Sequence, residues 1–472
     1  MFKPKAIACL FVPDSVPVLS PPTKMNQLGL VMVTVSVLLW GSPSSGQSAS
    51  PSREVTLDDV IAIALAKSPN LTAAEREAEA AAKGHEAARG RYWPFAEIFG
   101  DWQYSGPDEA NKSRLLSNIA RMPQLAPTAR GNRQFDNSVY AAGLRVTYPL
   151  YVGGRIIADV EANRLLTLLA REQMVQTADE LIFNLSGAFY NTLRLKENVK
   201  ATEASVNALE EAQKNMRNRV EVGRAARVDL LKVNTRLAAV RQELTRVRNE
   251  VELAHTVLKT LMGLDVTDPL SVKGTLGSEG ITLDLAQDLR EAEARRPALQ
   301  ASRRAVEVQE QRLRIAKGAQ LPSIVLRSQY GGGGGAEDGG RSLQDFVAGV
   351  NISIPVFTGG QLTAQVAQEE AKLAKARAEF ETARLDVQRE VLTAHLDIRD
   401  AEDRIATARA ALGEAREVLR IEQLKSEVGR GIIEDLLDAQ AAELQAETNY
   451  TRAFADYNTA LVARRKAIGR IR

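Results

Sequence analysis

Asp435 and Asp438 are the residues of this 472-residue chain whose type and spacing invite a chemical reading. Three positions apart at a helix start, they share one face. Carboxylates held close repel each other and draw cations toward them, so what the pair offers by itself is attraction of cations. Glu434 adjoins them. The alternative is that acidic residues at a helix N-terminus complement its dipole, which is the reading for Asp229. Nothing else forms a reactive constellation. His85, His255 and His395 lie on helical tracts without Cys/His or Glu-x-x-His spacing, which predicts surface or seam positions and no resident metal. The run Gly331–Gly335 lacks the Lys-Ser/Thr and helix start of a phosphate loop. It falls between two strand-like segments and is expected to be a flexible extracellular loop. The reading is therefore of a protein that is no enzyme and needs no cofactor.

The chain is expected to be exported before any of this is assembled. Lys24 precedes a 13-residue apolar run, Leu28 to Trp40, followed by small polar residues up to Ala49. This is a signal-peptide pattern with cleavage near Ala49, and the Pro-rich stretch 1–24 suggests a true start at Met25. A buried N-terminal helix is the alternative. The single cysteine, Cys9, lies in this leader, so the mature chain should carry no disulfide, thiol nucleophile or lipid-bearing cysteine. Loss of residues 1–49 takes the formal charge from +2 to zero. With no basic stripe and few aromatics, no nucleic-acid partner is expected. Beyond Trp40 there is no 18-residue apolar stretch, so a membrane would have to be crossed by a barrel.

The elements that must position the acidic pair occur twice. Tyr148-Pro149-Leu150-Tyr151-Val152-Gly153-Gly154-Arg155 recurs as Ile354-Pro355-Val356-Phe357-Thr358-Gly359-Gly360-Gln361, an offset of 206. The same offset takes Val222-Gly223-Arg224 to Val428-Gly429-Arg430, Asp229-Leu230-Leu231 to Asp435-Leu436-Leu437, and Gly263 to Gly469. Upstream, Thr56-Leu57-Asp58 is matched to Thr282-Leu283-Asp284, and Pro69 to Pro94 spans the same length as Pro297 to Pro322. The expected organisation is a signal at 1–49, a first repeat at 50–263, a linker at 264–281 and a second repeat at 282–469. Each repeat should hold a short helix, a helix of about 23 residues, two strands, a long helix and a second long helix. At 1.5 Å per residue the unbroken tracts from Arg155 and Gln361 span roughly 100 Å.

The periods differ along each repeat. Leu230, Val233, Leu237, Val240, Leu244, Val247, Val251, Ala254, Leu258 and Leu261 keep a heptad seam that needs an antiparallel neighbour. The second seam, Leu436, Ala439, Glu443, Ala446, Tyr450 and Ala453, is more polar. Ile98, Trp102 and Tyr104 alternate with polar residues, as do Tyr140, Leu144, Val146 and Tyr148. Ile324, Leu326 and Tyr330 repeat the pattern, and so do Phe346, Val350, Ile352 and Ile354. Such strands, within about 95–149 and 323–355, suit a lipid-facing barrel or an ordinary half-buried sheet. Four strands cannot enclose a pore, so either helices cover the sheet or several chains share one barrel. Export and helix length favour the shared barrel.

From about Val55 to Gly469 the chain resembles the TolC-like outer-membrane efflux proteins. The resemblance rests on the paired Pro-x-(Tyr/Phe)-x-Gly-Gly turns and the paired Val-Gly-x5-Asp-Leu-Leu tips. It implies an α+β membrane protein: a homotrimer with one shared 12-stranded β-barrel, four strands per chain, continuous with a long α-helical coiled-coil periplasmic tunnel. It implies an outer-membrane exit duct for efflux or type I secretion, set in outer-membrane lipid. A periplasmic adaptor (membrane fusion) protein and an inner-membrane transporter of RND, ABC or MFS type complete the system. It implies barrel-to-tunnel turns at Pro149, Gly153, Gly154, Pro355, Gly359 and Gly360. Adaptor-docking hairpin tips fall at Val222, Gly223, Arg224, Asp229, Val428, Gly429 and Arg430, with the pore constriction at Asp435 and Asp438. The chain departs from the family pattern at Ser426, where some members carry an aromatic, and at Gly431, where some carry a basic residue. A periplasmic adaptor and a coiled-coil scaffold of the cell envelope remain as alternatives.

Overall fold

A computed structural model describes residues 53–104, 138–277, 280–335, 343–428 and 430–471. The leader with Cys9, the segments joining the strands of each pair, and Gly429 lie outside the described residues.

Two long helices dominate, α3 (Arg155–Glu221) and α7 (Gln361–Glu427), each 67 residues. Each is preceded by α1 (Leu57–Lys67) and α2 (Pro69–Gly90), or by α5 (Leu285–Arg295) and α6 (Pro297–Gly318). Each is followed by α4 (Arg227–Met262) or α8 (Ile433–Ala467). Local chemistry sets these ends. Thr56 and Asp59 form a reciprocal capping box on α1, which satisfies free N–H groups at a helix start. Pro69 and Pro297 open α2 and α6, where a missing N–H costs nothing. α3 packs against α2 and α4 and, across the two halves, against α6 and α8. α7 packs on α5, α6 and α8. The lateral order is α2 over α4, then α3, then α6 over α8, then α7, so one long helix lies beside two shorter ones.

The strands β2 (Phe95–Tyr104), β3 (Ser138–Val152), β5 (Ser323–Gly335) and β6 (Leu343–Ser353) form an antiparallel sheet in the order β2-β3-β5-β6. Its register places Ile98, Leu144, Tyr330 and Phe346 side by side. Opposite cross-strand partners lie on one face, so the alternating apolar residues of all four strands share a face. That face is bare: Ile98 is 88% exposed, Trp102 71% and Ile352 63%. The other face carries Glu97 bonded to Arg145 at 2.9 Å, with Arg145 also over the Phe99 ring. A separate parallel pair, β1 (Arg53–Val55) with β4 (Leu270–Val272), falls partly in the stretch read as linker.

Three sequence expectations are corrected. Gly331–Gly335 is not a loop but the end of β5, paired with β3; Gly331 faces Gly143 so closely that a Cβ on either would fall within 2.5 Å of a backbone oxygen. Pro149 does not end β3. The strand continues to Val152 with a register shift between Pro149 and Tyr151, an irregularity at which a residue without N–H is tolerated. The helix start of the second repeat was matched two residues early. Asp284, not Thr282, caps α5 through the Gln287 amide, as Thr56 caps α1.

With that register, Val60 corresponds to Asp288, while the offset of 206 relates Phe189 to His395 and Leu258 to Arg464. The first three belong to one buried apolar cluster. Their counterparts form a buried polar one: His395 Nε2 lies 2.6 Å from Asp288 Oδ2, and Arg464 donates to both carboxylate oxygens at 2.6 and 2.9 Å. Burial opposes ionisation of Asp288, but hydrogen bonds from Arg464 and His395 outweigh it and hold the carboxyl below its usual value. His395 is thus a buried seam residue with a partner. Asp288→Val alone should destabilise the protein by about 3–5 kcal/mol, because it strands a guanidinium. Asp288→Val with His395→Phe and Arg464→Leu should recover most of that loss. Thermal unfolding of both variants in detergent checks this; a triple variant no more stable than the single one would reject it.

Candidate functional site

The candidate site is the far end of the helical body, where α3 turns into α4 and α7 into α8. The first tip occupies residues 222–226. Gly223 has φ +71° and no heavy atom within 4 Å of an added Cβ, so its backbone angle rather than crowding requires glycine. Val222 and Arg224 are exposed, and Asp229 lies in the first turn of α4. At the second tip Val428 is exposed, while the amides of Arg430 and Gly431 both donate to the Lys425 carbonyl at 2.9 Å. A Cβ on Gly431 would lie 2.7 Å from the Ser426 amide nitrogen. The departure from a basic residue at 431 therefore has a steric reason.

Behind the tips lies an apolar core of Val206, Leu209 and Met216 from α3, Val233, Leu237, Val240 and Leu244 from α4, and Ile433, Leu436 and Leu437 from α8. The first hairpin's heptad seam thereby seats the start of α8. This fixes the direction of the acidic residues: Glu434, Asp435 and Asp438 all point outward and are exposed. Glu434 accepts a 2.7 Å bond from Lys232 of α4. Asp435 and Asp438 have no ion pair of their own among the described residues. The dipole alternative stays available for Asp435, which lies in the first turn of α8.

A second link joins the hairpins. The Arg219 guanidinium donates to the Ser426 carbonyl, so the position where an aromatic is missing contributes its backbone. Neither Arg219 nor Lys232 was singled out from sequence. A signal was present, since Arg219 and Lys425 are both basic and each sits four residues before its tip glycine. Farther up, Arg416 reaches Glu443 and Glu447 across the polar α7–α8 seam at 3.5 and 3.4 Å. Burial, reinforced by Glu443, pushes the Glu447 carboxyl up.

At the other end, Gly153 and Gly154 lead into α3 and Gly359 and Gly360 into α7, all with positive φ. Pro355 follows the end of β6. No group of metal-binding side chains occurs among the described residues, and no helix there is long and apolar enough to cross a membrane.

This arrangement has counterparts among known proteins. The profile of the outer membrane efflux protein family matches residues 60–264 and 289–470. The chain belongs to that family. It is 24% identical over 374 residues to the outer membrane protein TolC of Vibrio cholerae, covering 77% of this chain and 85% of that one. It is 22% identical over 361 residues to the alkaline protease secretion protein AprF of Pseudomonas aeruginosa, covering 74% and 73%. The crystal structure of the Campylobacter jejuni CmeC outer membrane channel superposes with a TM-score of 0.76 at 17% identity, over 88% of this chain and 86% of that chain. This member of the outer membrane efflux family is accordingly a TolC-like channel protein of the outer membrane, in a family of passive channels rather than enzymes.

The hairpin link should respond to pH and mutation. Lys232 holds the Glu434 carboxyl below its usual value, through a hydrogen bond first and charge second. The pair therefore persists above that lowered value and is lost as pH falls through it. Arg219→Ala with Lys232→Ala should speed amide hydrogen exchange at residues 222–232 and 430–436 while leaving 95–104 unchanged. Acidification should reproduce the Lys232 part of this effect. Unchanged exchange at the tips would show that the apolar core alone holds them.

Proposed function

We propose that three copies of this chain form an exit duct, each contributing four strands to one 12-stranded barrel and its helices to a periplasmic tunnel. One observation carries the reading: a sheet with an uncovered apolar face and, among the described residues, two unpaired outer edges is continuous with helices roughly 100 Å long. In hydrocarbon every backbone polar group needs a partner, so a sheet can face lipid only if its edges close. Four strands are too few to close around a channel, and three copies supply twelve. An adaptor or an envelope scaffold gives no reason for the apolar face.

The duct works with a periplasmic adaptor docking at the Val222–Arg224 and Val428–Arg430 tips, and with an inner-membrane transporter that supplies energy and chooses cargo. Both efflux and protein secretion fit, the first from the family's description and the second from the name of AprF. Asp435 and Asp438 form the constriction. Threefold symmetry makes each a ring of three carboxylates, and the exposure of both on the outward side of α8 supports this assignment.

The assembly is tested by mass measurement in detergent, where a trimer is expected and a folded monomer would refute the reading. In planar bilayers, Asp435→Ala with Asp438→Ala should weaken cation preference and relieve inhibition by multivalent cations. Asp229→Ala should do much less; equal effects at all three positions would leave helix capping as the better account. Gly223→Val should impair pump assembly more than barrel insertion, and normal efflux in cells carrying it would remove the tip from the docking role.

A further inference from the structure

A polar seam pair of the first hairpin is halved in the second. In the first, the Gln213 amide of α3 donates to Asn234 Oδ1 of α4 at 2.7 Å. The offset of 206 carries Asn234 to Gln440 of α8, but it carries Gln213 to Leu419 of α7. Leu419 packs against the apolar core behind the tips and has no N–H to give from its side chain. Gln440 is nonetheless an amide, only 7% exposed, and its Oε1 accepts no hydrogen bond from any described residue. A buried acceptor without a donor is costly and uncommon in native proteins, and a leucine in its place would avoid the cost.

Gln440 lines a cavity of about 610 Å³ behind the second tip, in the size range of small-molecule sites. Residues of α3, the last turns of α7 and the first turns of α8 form its lining. Met216, Ile433 and Leu436, all buried, supply apolar surface. Glu211 and Glu427, both exposed, supply carboxylates that have no ion pair among the described residues. The guanidinium in the lining, that of Arg219, is already tied to the Ser426 carbonyl. The cavity thus combines an acceptor that lacks an N–H, an excess of negative charge and hydrocarbon surface.

We propose that this cavity binds a small organic cation, a primary ammonium group on a short hydrocarbon body. The ammonium donates to Gln440 Oε1, as the Gln213 amide donates to Asn234 in the first hairpin. Glu211 and Glu427 balance its charge, and its body lies on Met216, Ile433 and Leu436. An anion would meet the two carboxylates, and a neutral hydrocarbon would leave Gln440 without a donor. Because α3 belongs to the first hairpin and α7 and α8 to the second, the occupant fastens the hairpins to each other. The site lies within one chain and does not depend on the trimeric reading.

Three probes separate the ingredients in a ligand-detected NMR titration of the full protein in detergent. n-Butylammonium has charge and N–H donors, butyltrimethylammonium has charge alone, and 1-butanol has neither the charge nor an N–H. The first should bind about tenfold or more tightly than the other two, the usual worth of a hydrogen bond from a charged donor. Gln440→Leu should remove that preference without lowering the thermal midpoint, since it deletes a lone buried acceptor. Leu419→Gln should also weaken n-butylammonium about tenfold, because it restores within the chain the partner that Gln440 lacks. Glu211→Gln with Glu427→Gln should abolish the preference of butyltrimethylammonium over 1-butanol. In the unaltered protein n-butylammonium should slow amide exchange at 215–222 and 430–440 together. Equal binding of the three probes would overturn the assignment and leave an apolar crevice. Undiminished n-butylammonium affinity in folded Gln440→Leu or Leu419→Gln would overturn it by placing the cation elsewhere.

Discussion

A helix of 67 residues is not made secure by its own hydrogen bonds, because most helical stability in proteins comes from packing of a lateral face. α3 and α7 therefore need neighbours along their whole length, and among the described residues no other helix is long enough to supply one alone. The fold answers with stacks, α2 over α4 and α6 over α8. Their ends meet beside the middle of the long helices, where the short helices α1 and α5 and the β1–β4 pair gather. The same requirement explains an asymmetry. Among the described residues α3 has helices on both sides, whereas α7 has them on one, and its residues Leu385, Leu392 and Leu396 are exposed.

Much of this was legible because it repeats at short range. The heptad residues Val233, Leu237, Val240 and Leu244 are buried together, and the alternating residues Ile98, Leu144, Tyr330 and Phe346 do stand on one face. Long-range contacts were not legible. Gly331–Gly335 looks like a loop by composition, and only the approach of Gly143 from another strand makes glycine fitting inside β5. Asp284 and Thr282 are both adequate caps, and what selects Asp284 is the placing of Asp288 against residues more than 100 positions away. Arg219 reads as one of many exposed arginines until its partner, a carbonyl some 200 positions along the chain, is seen.

The buried cluster shows that the halves are not interchangeable. Where the first half joins short helix, long helix and returning helix through Val60, Phe189 and Leu258, the second uses Asp288, His395 and Arg464. Apolar contacts accept many arrangements, whereas a carboxylate clasped by a guanidinium fork accepts few. α5 is thus matched to α7 and α8 by charge and hydrogen bonding, and α1 to α3 and α4 by apolar contact.

From Gly331 to Gly333, β5 presents no side chain on either face, and Gly143 and Ala142 lie opposite. Elsewhere the surface of the sheet is set by rotamers that hop on the picosecond-to-nanosecond scale. Here it is set by peptide planes alone. The wall is as thin as a polypeptide allows, and its contour is as fixed as the hydrogen-bonded ladder that draws it.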